Sequence, residues 1–100
     1  MIPTHLLQLH SLLELDLSYN NLSGNIPNDI AELKNLVKMN LSNNFLSDQL
    51  PNQICNLTKM TTLSLSNNLF VGNANRLSEL LQLGMFKLVI IFIENSQYIL

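Results

Sequence analysis

The sequence predicts an α/β-type repeat solenoid, a stack of similar units whose short β-strands align in one parallel sheet. Two observations predict this fold class. Leucine and asparagine recur at a fixed interval of 24 residues, and each interval contains one short segment in which apolar and polar residues alternate. A segment that short cannot bury its apolar face alone, so neighbouring units have to stack and share one core.

The recurring positions define the repeat. The first leucine of each unit is Leu9, Leu33 or Leu57, and these residues lie 24 positions apart. Other positions follow the same interval, namely Leu12, Leu36 and Met60; Leu15, Met39 and Leu63; Leu17, Leu41 and Leu65; and Leu22, Leu46 and Phe70. We therefore treat the whole chain as a single segment of stacked units.

The segment divides at the recurring leucines. It consists of a partial repeat at 1–8, repeats at 9–32, 33–56 and 57–79, and a degenerate fourth repeat with an apolar tail at 80–100. In the fourth unit the interval shortens to 23 residues, which would align Leu63 with Phe86 and Leu65 with Leu88. The run LVIIFI, residues 88–93, is then a terminal strand with apolar residues on both faces, an aggregation hazard unless it is covered.

The strands are predicted in the segments LELDLS, VKMNLS and TTLSLS. In each, the leucine and methionine positions face the core, and the residues between them point away from it on the other side of the sheet. These outward residues, with Tyr19 near the rim, are Glu14, Asp16, Ser18, Lys38, Asn40, Ser42, Thr62, Ser64 and Ser66.

Polar and special residues then turn the chain after each strand. Asn20, Asn44 and Asn68 follow the last strand leucine by three positions. An amide both donates and accepts hydrogen bonds, so we expect a structural asparagine ladder that pairs the backbone groups of the turns. Gly24 allows a left-handed backbone, and Asp48 occupies the same position in the next unit, a substitution that turns tolerate.

Each unit reads L-x-x-L-x-L-x-x-N-x-L followed by S-G-x-I-P or a relative of it, as in Ile26-Pro27 and Leu50-Pro51. This pattern resembles the 24-residue leucine-rich repeat of plant receptor-like proteins, receptor-like kinase ectodomains and polygalacturonase inhibitors. The resemblance covers residues 2 to about 73. It implies that the strands line a concave face, that 3₁₀ or irregular turns form the convex side, and that a short second strand carries the Ile-Pro stretch.

The resemblance also implies a function. In this family the concave face binds peptides, partner proteins or cell-wall enzymes, so the outward strand residues become candidate protein-binding residues. We expect another protein or a peptide as partner, at the cell surface or outside the cell, in signalling or defence. Two alternatives stay open: a truncated repeat fragment with little independent activity, and a secreted protein similar to the polygalacturonase inhibitors.

Composition limits the other function classes. The formal net charge of −2 gives no basic surface for nucleic acid. The apolar stretch at 83–93 is too short to span a bilayer, and no signal peptide is visible at the N-terminus. The single cysteine, Cys55, cannot form an intramolecular disulfide and is interpreted as a buried core thiol.

Chemical motifs point to modification rather than catalysis. The chain has no metalloprotease motif, no serine-elbow motif and no glycine-rich phosphate loop, so we predict no enzyme activity, no cofactor and no metal site. Three N-glycosylation sequons are present, at Asn21, Asn40 and Asn56. A glycan on Asn40 would stand on the concave face and obstruct binding there.

Overall fold

The computed structural model describes residues 1–70 and the backbone of residues 90–92. Within that part, short strands and 3₁₀ helices alternate along the chain. In order they are η1 (Thr4–Gln8), β1 (Glu14–Asp16), β2 (Ser23–Gly24), η2 (Asn28–Glu32), β3 (Lys38–Asn40), β4 (Phe45–Asp48), η3 (Asn52–Asn56), β5 (Thr62–Ser64), β6 (Leu69–Phe70) and β7 (Ile90–Phe92). This arrangement confirms the predicted solenoid.

Two parallel sheets form, with strand orders β1-β3-β5-β7 and β2-β4-β6. In the first sheet, the strands of the first three units pair in the 24-residue register, so equivalent positions of successive repeats lie side by side. Neighbouring strands in such a sheet are about 4.8 Å apart. The resulting rows across the sheet are Glu14, Lys38 and Thr62; Leu15, Met39 and Leu63; and Asp16, Asn40 and Ser64.

The core lies between the first sheet and the 3₁₀ helices. Leu15, Met39 and Leu63 are buried from the sheet side, and Ile30 and Ile54 are buried from η2 and η3. The helices stack on one another along the convex side, as the alternation of strand and helix requires. Among the described residues, no helix is both long and apolar enough to cross a membrane.

The core is less complete at the N-terminal side of the stack. Leu12, Leu17 and Leu22 are only partly buried, although their equivalents in the second unit are fully buried. Leu9 is exposed, whereas its equivalents Leu33 and Leu57 are fully buried. Cys55 is also only half-buried on η3, which corrects the prediction of a buried core thiol.

The second strand differs from the expectation. It lies at Ser23–Gly24 and Phe45–Asp48, before the Ile-Pro and Leu-Pro pairs rather than on them. Pro27 and Pro51 have no N–H to donate to a strand ladder. Each instead precedes a 3₁₀ helix, where its carbonyl accepts from the backbone N–H of Ile30 at 3.1 Å or Ile54 at 3.2 Å.

The glycine position requires a left-handed backbone. Gly24 has φ +83°, and Asp48 has φ +63° at the same position of the next unit. Aspartate is one of the few residues other than glycine that adopts this region readily. The tolerance expected at Asp48 therefore has a geometric basis. The glycine at the same position of the third unit, Gly72, lies outside the described residues.

The fourth repeat has a different register from the predicted one. Strand β7 pairs with β5 so that Leu63 lies beside Ile91, not beside Phe86. The interval is therefore 91 − 63 = 28 residues rather than 23. The strand forms within the run of β-branched and aromatic residues that favours extended structure, instead of keeping the leucine spacing. The remaining residues of the predicted fourth repeat and tail lie outside the described part.

Candidate functional site

An open depression of about 370 Å³ lies on the concave face of the first sheet. Residues of β1, β3 and β5 line it: Glu14, Leu15, Asp16, Lys38, Met39, Asn40, Thr62 and Ser64. Six of these eight are outward residues that the sequence predicts as protein-binding, and the structure brings these six together. Its volume falls within the range of about 300–1,000 Å³ that is usual for ligand sites.

Two side chains of the depression are held by turns at the ends of their strands. Asp16 Oδ1 accepts from the backbone N–H of Ser18 at 3.0 Å and from its hydroxyl at 2.6 Å. Asn40 Oδ1 accepts from the N–H and hydroxyl of Ser42 at the same two distances. Such Asp/Asn turns fix one side-chain oxygen. They leave Asp16 Oδ2 and Asn40 Nδ2 without a hydrogen-bond partner in the described part.

The turn also sets the charge of Asp16. The hydroxyl of Ser18, and then its backbone N–H, hold the pKa of the Asp16 carboxyl below its ordinary value, against a smaller opposing effect of desolvation. Hydrogen bonds donated to a carboxylate favour its charged form. Asp16 is therefore a fully ionised, oriented carboxylate at neutral pH.

The other carboxylate of β1 has a cation beside it. Glu14 Oε1 lies 3.8 Å from Lys38 Nζ, and both side chains are exposed. Exposed pairs at such a distance contribute little to stability, but this one largely neutralises the first row of the depression. Asp16 has no cation within ion-pair distance among the described residues.

Ser42 does not follow the predicted exposure. It is buried, and its hydroxyl donates to Asn40 Oδ1. Ser18 and Ser66 are half-buried, and the hydroxyl of Ser18 is likewise committed to its own strand. Ser18 and Ser42 thus orient Asp16 and Asn40. The signal in the sequence was the Asp/Asn-x-Ser spacing, which strict alternation of exposed and buried positions overlooks.

The rim beyond the strands carries Tyr19, which the sequence predicts there, and two exposed apolar residues that the sequence analysis did not single out. Tyr19, Asn43 and Asn67 share a left-handed backbone, with φ of 56°, 58° and 56°, and Tyr19 is 78% exposed. Phe45 and Leu69 lie two positions further along their units and are 53% and 54% exposed. They occupy the position of Asn21 in the first repeat, so two apolar residues at a position that the repeat pattern does not assign to the core were the available signal.

The asparagine ladder joins one repeat to the one before it. Asn44 is buried, and its Oδ1 accepts from the backbone N–H groups of Asn20 and Leu22, each at 2.9 Å. Its Nδ2 donates to the carbonyls of Leu17 at 2.9 Å and Leu41 at 3.1 Å. Its Nδ2 also donates to the carbonyl of Ser42 at 3.2 Å, so five backbone groups from two repeats converge on one side chain.

Asn68 holds the third repeat in the same way. Its Oδ1 accepts from the N–H of Leu46 at 2.9 Å, and its Nδ2 donates to the carbonyl of Leu41 at 2.8 Å. Asn20 differs because it is exposed and, among the described residues, its side chain donates only to the nearby carbonyl of Ser18 at 2.9 Å.

The three sequon asparagines occupy different environments. Asn21 is exposed on the turn between β1 and β2, with φ +53°, and Asn56 is exposed at the end of η3. Asn40 is half-buried on β3 with its oxygen held by Ser42. In the described part, no three His, Cys, Asp or Glu side chains are grouped so that they could hold a metal ion.

Comparison with known proteins agrees with this geometry. The family model described as Leucine Rich Repeat matches residues 11–33 and 35–57. The chain therefore contains leucine-rich repeats, and its parallel strands and 3₁₀ turns have the leucine-rich-repeat fold. Such repeats are typical of binding modules in receptor ectodomains. No match was found among curated protein sequences.

Three solved structures are similar to the chain. A TDR receptor is 36% identical with a TM-score of 0.69, over 88% of this chain and 15% of the receptor chain. A leucine-rich-repeat protein of Leptospira interrogans is 31% identical with a TM-score of 0.77, over 99% and 24%. The plant peptide hormone receptor RGFR1, in complex with RGF2, is 23% identical with a TM-score of 0.61, over 97% and 18%. This chain thus spans a quarter or less of each.

Proposed function

We propose that the chain is a protein- or peptide-binding leucine-rich-repeat module that serves cell-surface signalling or defence in a plant receptor-like protein. The observation that carries the proposal is the depression on the concave face, where six polar side chains from three strands stand in register. The similar structures support it, since one is a receptor and another is a peptide hormone receptor in complex with RGF2.

The physical character of the site suits recognition of a polypeptide. Its side chains lie on strands that are held by parallel pairing and by the asparagine ladder. Little backbone conformational entropy is therefore lost from these strands when a partner binds. Amides, hydroxyls and charges alternate across the rows, which offers hydrogen-bonding partners to the backbone as well as the side chains of a bound segment. Tyr19 at the rim is the aromatic group that an interface commonly uses as an anchor.

Selection of ligands on the intact chain tests this function. The full 100-residue chain is immobilised, and linear 12-residue peptides displayed on phage are enriched on it. A concave variant, Thr62→Arg with Ser64→Arg, fills the depression with two long cations. The matched control, Asn52→Arg with Gln53→Arg, places the same two charges on the convex helix η3.

We expect the enriched peptides, remade synthetically, to bind the wild-type chain and the convex control equally. Binding to the concave variant should be at least about tenfold weaker, which corresponds to about 1.4 kcal/mol. Peptides that bind both variants alike would show that the concave face is not the site. A failure to enrich any peptide would also refute the proposed function.

A further inference from the structure

One row of the depression changes its chemistry from strand to strand. Asp16 on β1, Asn40 on β3 and Ser64 on β5 lie side by side across the sheet. From β1 to β5 the row presents a carboxylate, an amide and a hydroxyl, and Phe92 of β7 lies next to Ser64 in the same register. Because Ser18 and Ser42 occupy one oxygen of the first two, the groups left to a partner are an anionic acceptor and a neutral N–H donor.

The electrostatics of the row are unbalanced at the β1 end. The neighbouring carboxylate, Glu14, is paired with Lys38, whereas Asp16 has no cation at ion-pair distance in the described part of the chain. Asp16 is exposed and ionised, so it keeps its hydration until a partner replaces the water. A positively charged group is the partner chemistry that complements this end of the depression.

The dimensions of the row fit an extended polypeptide. Three strands at about 4.8 Å spacing place the two ends of the row about 10 Å apart, and an extended chain rises about 3.3 Å per residue. A bound segment of about three extended residues therefore spans the length of the row from Asp16 to Ser64. A backbone carbonyl of that segment is the acceptor that Asn40 Nδ2 lacks.

We propose that the concave depression binds an extended peptide segment that places a lysine or arginine side chain against Asp16 Oδ2 and a backbone carbonyl against Asn40 Nδ2. This inference rests on the proposed function and adds the chemistry of the ligand. Asp16 supplies specificity because the cation is attracted to a carboxylate whose orientation is already fixed by Ser18. The amide of Asn40 sets the position of the peptide backbone beside it.

The experiment uses the peptides selected on the full chain. Asp16→Asn removes the charge but retains the oxygen that accepts from Ser18, so the turn is preserved. Asp29→Asn is the matched control, since Asp29 is an exposed aspartate on the convex helix η2. Each selected peptide is also made with its basic residues replaced by glutamine, and dissociation constants are measured at low and high salt.

We expect the selected peptides to share a lysine or arginine. Asp16→Asn should raise the dissociation constant at least about tenfold, the scale of a hydrogen bond to a charged group, and Asp29→Asn should leave it unchanged. Replacing the basic residue should have the same effect as Asp16→Asn, and the two changes together should add nothing further. High salt should weaken the wild-type complex only.

The outcomes separate this inference from the proposed function. Peptides that lose binding to the concave Arg variant, yet bind Asp16→Asn with unchanged affinity or contain no basic residue, overturn the cation site and leave the concave binding function standing. Equal loss with Asp16→Asn and Asp29→Asn would reveal general attraction of cations to an acidic chain, which also overturns the inference. If no peptide is enriched on the chain, both the cation site and the proposed function are refuted.

Discussion

Replacing Asn44 with alanine removes the side chain on which two repeats converge. The substitution deprives two backbone N–H groups, of Asn20 and Leu22, and three carbonyls, of Leu17, Leu41 and Ser42, of their shared partner. The carbonyl of Ser42 keeps the bond from the N–H of Tyr19 at 3.1 Å. The N–H of Asn20 belongs to an exposed residue, where water can take the place of the amide. The carbonyl of Leu41 keeps the bond from Asn68 Nδ2.

The cost therefore comes mainly from the N–H of Leu22 and the carbonyl of Leu17, because both residues are partly buried and packed against the core. Leaving a buried polar group unpaired costs about 1–3 kcal/mol, and two groups at partial burial suggest about 3 kcal/mol for Asn44→Ala. Asn20→Ala loses one exposed hydrogen bond to Ser18 and should cost less than about 1 kcal/mol.

Urea denaturation of both variants, followed by far-ultraviolet circular dichroism, measures these costs. In a chain of this size, about 3 kcal/mol lowers the melting temperature by more than about 10 °C. Asn44→Asp is an informative companion, because it keeps the acceptor but loses the two donors and should be destabilised as well. Equal destabilisation by Asn44→Ala and Asn20→Ala, or a change below about 0.5 kcal/mol in both, would refute the ladder as a source of stability.

Three further predictions concern the turns and the sequons. Gly24→Ala should destabilise the chain by about 1 kcal/mol through backbone strain alone, because φ is +83° although a methyl group meets nothing within 4 Å; an unchanged urea midpoint would contradict this. Ser18→Ala should raise the pKa of Asp16 in an NMR titration. Since that pKa is lowered in the folded chain, the associated stability is present above the unfolded pKa and is lost as the pH falls below about 4. In a eukaryotic secretory host, Asn21→Gln should remove one glycan mass, whereas Asn40→Gln should change nothing because Asn40 is half-buried on β3; a glycan found on Asn40 would refute this.

The sequence predicted the stacking because a fixed interval of apolar residues has few other physical solutions. Leu15, Met39 and Leu63 align as the 24-residue spacing requires, and the same spacing brought six of the predicted outward residues into one depression. Periodicity is a strong signal here because every unit repeats the same burial problem.

The sequence predictions that were wrong concern places where local hydrogen bonding or strand propensity overrides the alternation along a strand or the 24-residue repeat. Ser42 is buried and donates its hydroxyl to Asn40, which alternation along a strand does not encode. The Ile-Pro stretch is not a strand because proline lacks the donor that a strand ladder needs. Strand β7 pairs Ile91 with Leu63, a register set by the segment of β-formers rather than by the leucine interval.

The side-chain bonds of the ladder give the stack a direction. Asn44 binds backbone groups of the first repeat, and Asn68 binds those of the second. Each of these two units is therefore hydrogen-bonded through its asparagine to the unit that precedes it. Damage at Asn68 would therefore loosen the later units while the bonds between the first two persist, and damage at Asn44 would separate the first unit from all that follow. Unfolding of the array should thus start at a boundary between units. The units that come after that boundary lose their side-chain bonds to the stack, whereas the units before it keep theirs.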